Sequence, residues 1–339
     1  MLFLSILTKL AFAETYVSIV GDVYGKYDMN QPEVEESTNP YHPFDYRNGF
    51  AVSWFGTDLS IASDSFGAKF DLRFGPTAIL YNGLDASIDG VGMMTNVKQG
   101  YLTYTPFEKL TIDFGKFDTI YGAEVADAHN NMNYTRASIN WMVQPFTHTG
   151  LRVSTHIGGV QLIGMVVNGW NNAFDNNNMK SFGVQASMGP LIVGYIGGPE
   201  QAHNADDWRH FVDAIFRYDI KKFHMVLNGS YGLESFGSTT QEWYGASGII
   251  GYDISELLAI NMRGEYILDP NGWMTGTREN TVATGTLTFL HALSKEYHFF
   301  GDIRYDKTTI AAYPSKNGYK TSSLSAIVGV TISKSIVHQ

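Results

Sequence analysis

The strongest constraint on this chain is a two-residue alternation in which one face is apolar or aromatic and the other carries charge. It is clearest over Phe66–Phe74, where Phe66, Ala68, Phe70, Leu72 and Phe74 share one face and Lys69, Asp71 and Arg73 the other. Val212, Ala214, Phe216 and Tyr218 oppose Asp213, Arg217 and Asp219 in the same way. Leu258, Ile260, Met262, Gly264 and Tyr266 oppose Asn261, Arg263 and Glu265, and Phe299, Gly301, Ile303 and Tyr305 oppose Asp302, Arg304 and Asp306. A fifth stretch sets Leu324, Ala326, Val328, Val330 and Ile332 against Ser323, Ser325 and Thr331. A period of two is the mark of a strand whose faces meet different solvents.

Weaker stretches of the same kind read as strands at 15–27, 48–62, 97–105, 109–118, 148–157, 160–169, 180–188, 190–197, 222–232, 242–252 and 280–291. With the five clear ones they make sixteen strands, or fourteen or eighteen if a weak pair merges or splits. Short turns fall near Asp64, Phe107, Gly158, Gly189, Lys221, Ser255 and Ser294. They alternate strictly with long polar loops at 28–47, 82–96, 119–147, 170–179, 198–209, 233–241, 269–279 and 307–321. Strand alternation alone would also suit a soluble sandwich, but a sandwich needs longer crossovers between its sheets. Strict short–long alternation is the layout of an outer-membrane barrel, with short periplasmic turns and longer external loops. A bilayer offers no water to backbone amides, so spanning strands must close on one another. The expected fold is therefore all-β, a transmembrane antiparallel up-and-down β-barrel.

Composition removes the competing classes. Of 339 residues, 14% are aromatic, 35 are Gly and only 17% are charged. Gly and aromatic residues are poor helix formers, and this much apolar surface can collapse, which excludes disorder. The longest charge-free stretches, Val153–Phe174 and Ser181–Pro199, are broken by Gln161 and three asparagines in one case and by Pro190 and five glycines in the other. Neither is a spanning helix, which needs about 20 predominantly apolar residues. Zero cysteine excludes thiol catalysis, disulfides and cysteine-held zinc. A net charge of −10 argues against nucleic acid as a partner. Residues 1–13 end in Ala11-Phe12-Ala13 before Glu14, a small-x-small site after an apolar run, and read as a signal peptide. Its only basic residue, Lys9, comes late, which suggests a start truncated at the front. Residues 14–339 then form the barrel, with loop 119–147 inserted.

That loop is the leading functional candidate, because long loops in compact structures usually work. Ala123–Ala128 is read as one helical turn carrying Glu124 and Asp127 at i, i+3. Folded inward against basic walls, these acids would set a constriction and a transverse field; packing over the external rim is the alternative. Charges facing lipid cost a few kcal/mol each near the midplane, so the charged faces point inward. The expected pore-lining and constriction set is Lys69, Asp71, Arg73, Glu124, Asp127, Arg152, Asp213, Arg217, Arg263, Glu265, Asp302 and Arg304. A barrel of sixteen strands is too wide to fill with wall side chains alone.

Trp170, Trp208 and Trp243 lie near the long-loop ends of strands and are expected at the water–lipid boundary, where an apolar body and an N–H donor are both served. The alternative is that loop tryptophans pack within the loops or bind sugar. The Asn-rich run 167–178 has oxygens that suit Ca2+, yet it holds one carboxylate and no Glu in a twelfth-position role. A turn is the better reading, and neither a metal nor a cofactor is expected. Ser154 and His156 share an inward face, which leaves an envelope barrel enzyme, a lipid or peptide hydrolase, as a competing class. No Gly-rich phosphate loop and no His-Glu-x-x-His is present, so the chain is read as a non-enzyme.

Three segments carry a resemblance: Gly115-Lys-Phe-Asp-Thr-Ile-Tyr-Gly-Ala-Glu124, Gln144-Pro-Phe-Thr-His-Thr-Gly-Leu-Arg152, and Val167-Asn-Gly-Trp-Asn-Asn with Asp175-Asn-Asn and Lys180. Together they resemble the OmpL-like β-barrel porin family. The matching positions are Tyr121, Gly122, Glu124, Pro145, His148, Thr149, Gly150, Asn168, Gly169, Trp170, Asp175 and Asn176. The resemblance implies a bacterial outer-membrane porin and brings no catalytic residues; the shared positions are expected to shape the loop and its neighbouring strands. The functional expectation is a passive diffusion channel for small hydrophilic solutes in a Gram-negative outer membrane, constricted by loop 119–147 and lined by mixed charge. A sugar-selective pore is its close variant. Its partners would be outer-membrane lipid, solutes or ions, and further copies of the chain if it forms a homo-oligomer. A non-channel adhesin or receptor barrel with a plugged lumen is the remaining alternative.

Overall fold

A computed structural model describes residues 14–33, 39–42, 44, 45, 47–83, 92 and 94–338. The expected signal peptide lies outside the described residues. The strands are β1 (Glu14–Asp28), β2 (Gly49–Ala62), β3 (Phe66–Phe74), β4 (Val97–Phe107), β5 (Leu110–Asp118), β6 (Thr147–Ile157), β7 (Val160–Val167), β8 (Ser181–Met188) and β9 (Leu191–Pro199). They continue as β10 (Trp208–Ile220), β11 (Phe223–Phe236), β12 (Thr239–Asp253), β13 (Leu258–Asp269), β14 (Asn280–Ala292) and β15 (Tyr297–Thr308), then a small hairpin β16 (Tyr313–Ser315) and β17 (Gly318–Lys320), and finally β18 (Ser322–His338). All but the small hairpin form one closed antiparallel barrel of sixteen strands in chain order. Closure is made by β1 on β18, from Thr15 opposite His338 to Asp28 opposite Ser325.

The alternation read from the sequence fixes which side chains face out. On β13, Met262 and Tyr266 are exposed while Arg263 and Glu265 are buried; on β15, Ile303 and Tyr305 are exposed while Asp302, Arg304 and Asp306 are buried. The exposed row is the lipid-facing band of a barrel, and the charged row points to the lumen.

The connections differ from expectation in four places. No loop exists at 233–241: β11 and β12 run on to Phe236 and Thr239 and meet in a two-residue turn at Gly237-Ser238, with Gly237 at φ 56°. Such tight turns need positive φ, which Gly supplies without steric cost. The loop after β3 begins with a helix, α1 (Pro76–Asn82), whose proline sits in the first turn, where a missing N–H costs nothing. The loop 307–321 contains the β16–β17 hairpin. The helical turn expected at Ala123–Ala128 is displaced: a 3-10 turn lies at Ala128–Asn130 and a helix, α2, at Ser138–Met142.

The apolar core lies inside the barrel, between the wall and loop 119–147. One cluster joins Phe117, Tyr121, Ile139, Val143, Trp243 and Ile267. A second joins Phe44, Trp54, Tyr81 and Phe146, and a third Tyr24, Tyr134, Phe300 and Ile327. Inward-facing glycines are the sockets for this packing. A Cβ on Gly329 would collide with Tyr134, on Gly194 with Tyr121, on Gly245 with Ile139 and Val143, and on Gly251 with Met132. The loop approaches the wall so closely that only hydrogen fits at these positions.

Candidate functional site: the lumenal loop and its anchors

Loop 119–147 crosses the lumen and is tied to opposite walls by charge. Near β3 and β4, Asp127 accepts from Arg73 at 3.1 and 3.2 Å and pairs with Lys98 at 3.3 Å. Burial alone would raise the Asp127 carboxyl, but Lys98 and Arg73 outweigh it and hold it well below the ordinary carboxylate range. Across the lumen, Glu124 accepts from Arg263 at 2.7 Å and from the Ala137 amide at 2.6 Å. Arg263 also donates to the Thr135 carbonyl at 2.5 Å and to Glu265 at 3.0 Å. Arg304 donates to the Arg136 carbonyl at 2.9 Å and to the Ser138 hydroxyl at 2.7 Å. Asp302 accepts from the Thr135 amide at 2.9 Å and its hydroxyl at 2.8 Å. On β1, Asp22 accepts from the Tyr134 hydroxyl at 2.6 Å and pairs with Arg136 at 3.4 Å. Each buried charge thus has an opposite charge or a directed hydrogen bond, without which burial would be very costly.

The contact with β8–β11 is of another kind. Asp213 accepts from the Gly122 amide at 2.8 Å, and Gln144 donates to Asn228 at 2.7 Å. Arg217 is exposed and donates to the Ala123 carbonyl at 2.5 Å. Between loop and wall there remains a cavity of about 220 Å3, lined among others by Glu124, Val125, Phe146, Gln185, Ile192 and Arg217. A larger cavity of about 510 Å3 opens at the long-loop end, lined by Tyr41, Trp141, Trp170, Asn172, Glu200 and Arg209 with their neighbours. Segment 140–146 contributes to both, through Asn140, Pro145 and Phe146 below and Trp141, Met142 and Gln144 above.

The sequence-predicted residues fall into three groups. Arg73, Glu124, Asp127, Arg263, Glu265, Asp302 and Arg304 are brought together as buried anchors of the loop, with Asp213 holding its base. Lys69 and Asp71 pair at 3.2 Å, the lysine partly open to the lumen, and Arg152 pairs with Asp113 at 2.8 Å beneath the Phe117 ring, away from the loop's anchors. Arg217 alone among them is both exposed and at the lower cavity. Two of the boundary aromatics are corrected. Trp243 is fully buried inside the barrel and donates to the Val143 carbonyl at 3.3 Å. Trp170 packs edge-on against it and Phe211 in the upper cavity. The signal was available: Trp243 shares its parity with Ser247 and Asp253, opposite Tyr244, Ile250 and Tyr252, and period two puts it inward. Trp208 stays on the outward face near the long-loop end, stacked on His210.

The family-like positions shape this apparatus. The Tyr121 hydroxyl donates to the Tyr195 carbonyl at 2.7 Å, and Gly122 turns at φ 88°. His148 lies between the Thr119 hydroxyl and the Gly169 carbonyl, each at 3.1 Å. Gly150 pairs with Gly115 and Val167 across β5–β7, beside Thr149. Asn168 donates to the Ala173 carbonyl and Asn176 to the Glu200 carbonyl, both at 3.1 Å. Asp175 accepts from the Asn177 and Asn178 amides at 3.0 and 3.1 Å and pairs with Lys180, so its oxygens serve a turn. Among the described residues no group of three His, Asp or Glu could hold a metal ion. No hydrogen bond joins Ser154 to His156 among them.

Comparisons agree with this architecture. The family model described as "Putative beta-barrel porin-2, OmpL-like" matches residues 15–333. No curated protein matches the sequence. Among solved structures, the anion-selective porin from Comamonas acidovorans is similar at 12% identity and a TM-score of 0.64, over 95% of this chain and 100% of that one. The outer membrane channel DcaP of Acinetobacter baumannii is similar at 13% and 0.58, over 95% and 97%. The trimer form of OmpT from Vibrio cholerae also matches at 13% and 0.58, over 95% and 99%. At such identities the likeness is one of fold.

Proposed function

The chain belongs to the OmpL-like β-barrel porin family and is an outer-membrane porin; we propose that it passes small hydrophilic solutes and ions through a constriction made by loop 119–147. The observation that carries this reading is the loop itself, latched across the lumen yet leaving a cavity beside Arg217. Segment 140–146 lines both the external cavity and the lower one, and on this reading it forms the constriction between them. Below it, Arg217 is the exposed charge that a permeating ion meets. Most of the other inward charges hold the loop or pair with one another along the wall, as Lys69 does with Asp71 and Arg152 with Asp113, so the field at the aperture is set by few groups. Outer-membrane lipid covers the apolar exterior. The trimer form of one similar porin-fold protein supports a homo-oligomer, which cross-linking in native membranes would detect. A non-enzymatic role is what the family implies, and substituting Ser154 or His156 is expected to leave lipid and peptide hydrolysis at background.

Planar-bilayer recordings of the purified full chain test the channel. Stepwise conductance is expected, and removal of Glu124–Met132 is expected to enlarge the unit step, since it deletes Glu124 and Asp127 together. Absence of steps from both proteins would overturn the reading.

A further inference from the structure

We propose that the cavity at the long-loop end is a binding site for neutral saccharides of roughly disaccharide size, a proposal that names the solute class of the channel and rests on that reading for passage beyond the site. At about 510 Å3 the cavity lies within the range of small-ligand sites, ~300–1,000 Å3. Three tryptophans and a tyrosine line it: Tyr41, Trp141, Trp170 and Trp273. They are braced from behind. Trp141 stacks on Phe146 with centroids 5.3 Å apart, and Trp273 sets its ring against Phe236 at 4.8 Å. Rigid, flat, amphipathic surfaces suit a ligand with an apolar face and a polar edge.

The polar groups argue for a neutral ligand. Arg209 is already bound to Glu234 at 2.5 Å and lies over the Trp170 ring at 4.9 Å, so it is not a free cation for an anionic solute. Glu200 already accepts from the Trp170 amide at 2.6 Å and the Ser181 hydroxyl at 2.7 Å, so it is not a free anion for a cationic one. What remains is a donor. The Asn172 side-chain nitrogen has no hydrogen-bond partner although the residue is only 9% exposed. A buried amide N–H left unpaired is costly unless a ligand oxygen meets it. That nitrogen and the Glu200 carboxylate converge beside Gly169, at φ 145°, where any Cβ would strike both. A pyranose ring answers this arrangement: its C–H face lies on indole, and its hydroxyls reach an amide donor and a carboxylate acceptor at the edge.

The test is titration of the detergent-purified full chain with maltose, cellobiose and lactose, with choline and citrate as charged probes, read by tryptophan emission and calorimetry. At least one disaccharide is expected to bind saturably and the charged probes not. Asn172→Ala and Trp273→Ala should each weaken binding by about tenfold or more, while circular dichroism and heat-modifiable gel migration stay those of the parent. The proposal is overturned if no disaccharide titrates, if choline or citrate titrates equally, or if both variants bind as the parent does. Binding in detergent does not require conduction. Saccharide binding without bilayer steps would sink the channel and keep this site; steps without binding would do the reverse.

Discussion

Strands β13 and β15 on one wall and β10 on another carry the same inward pattern of alternating charge, yet their charges end up in different states. On the first wall, Arg263 and Arg304 have side chains 0% and 1% exposed, sealed under the loop. On the second, Arg217 is exposed beside a cavity. The walls differ in what the loop presents to them. Toward Arg263 and Arg304 it turns the Thr135 and Arg136 carbonyls and the Glu124 carboxylate; toward Arg217 it turns one carbonyl, that of Ala123. An inward charge is therefore a structural anchor where the loop complements it and stays open to a cavity where it does not, which is the place our proposal gives to a channel-lining group. Counting inward charges cannot separate the two.

The largest expected effect comes from Arg263→Met, which strands Glu124 and Glu265 in a dry site. Breaking a buried pair by removing one partner costs ~3–5 kcal/mol. The barrel's strand ladder does not depend on Arg263, so the cost should appear as release of the loop. The expected readouts are protease cleavage within 119–147 and a larger unit conductance, with the barrel's heat-modifiable migration kept. A loop that stays protected would mean that the apolar sockets, not the ion pairs, hold it. Gly329→Leu addresses those sockets. The new side chain would occupy the place of the Tyr134 ring, and overpacking of this kind costs ~1–3 kcal/mol. Tyr134 should leave its place by Asp22, giving the same cleavage in part. If Gly329→Leu proves as damaging as Arg263→Met, packing and charge contribute alike to the latch.

Much of the fold was legible in the sequence. Period two located sixteen strands because lipid on one face and water or loop on the other leave an unmistakable contrast. Phe66–Phe74 is legible to the residue because three charges alternate with five apolar positions. The turn at Gly237-Ser238 was not, since polar residues such as Thr239, Thr240 and Gln241 are tolerated in a strand that rises past the membrane into water. The fate of Arg263 was not legible either, because its partners Glu124 and Thr135 lie more than a hundred residues away in a loop without periodicity. The sockets left a faint trace: Gly245, Gly251 and Gly329 stand at inward positions where a lumen filled only with water would impose no need for glycine. For Trp243 the two signals conflict: nearness to a strand end points to the water–lipid boundary, whereas its parity points inward, and the buried side chain follows parity.

pH separates the two ends of the loop. Lys98 and Arg73, overcoming burial, depress the Asp127 carboxyl. Its contribution is therefore full above the ordinary value of about 3.9 and is lost only as pH falls through its lower folded value. The latch on that side should be indifferent to pH between about 5 and 8. Glu200 has the opposite sign. Burial pushes its carboxyl up to about 7, against Arg209 and the hydrogen bonds from Ser181 and Trp170. Its contribution is full below its ordinary range and is lost as pH rises through about 7. Amide exchange at Trp170, corrected for intrinsic rate, should accelerate from about pH 5 to pH 8, and Glu200→Gln should flatten the profile. Equal acceleration at the loop's inner segment, 124–136, would mean that the external cavity and the latch open together.

Arg217→Glu should have the smallest effect on stability and the most telling effect on transport. The side chain is exposed and its one loop contact is to a carbonyl, so the change in stability should stay within about 0.5 kcal/mol. The charge at the lower cavity nevertheless reverses beside Glu124, which removes the basic side chain that our proposal places on the permeation path. In a salt gradient across a planar bilayer, the reversal potential should move toward the cation side with little change in unit conductance. Met at position 263 reverses nothing at the aperture directly, and any selectivity change there should accompany the gain in conductance as the loop moves. A selectivity shift from Arg263→Met without a conductance change, together with none from Arg217→Glu, would place the permeation path along the β12–β15 wall and overturn the distinction between anchoring and lining charge.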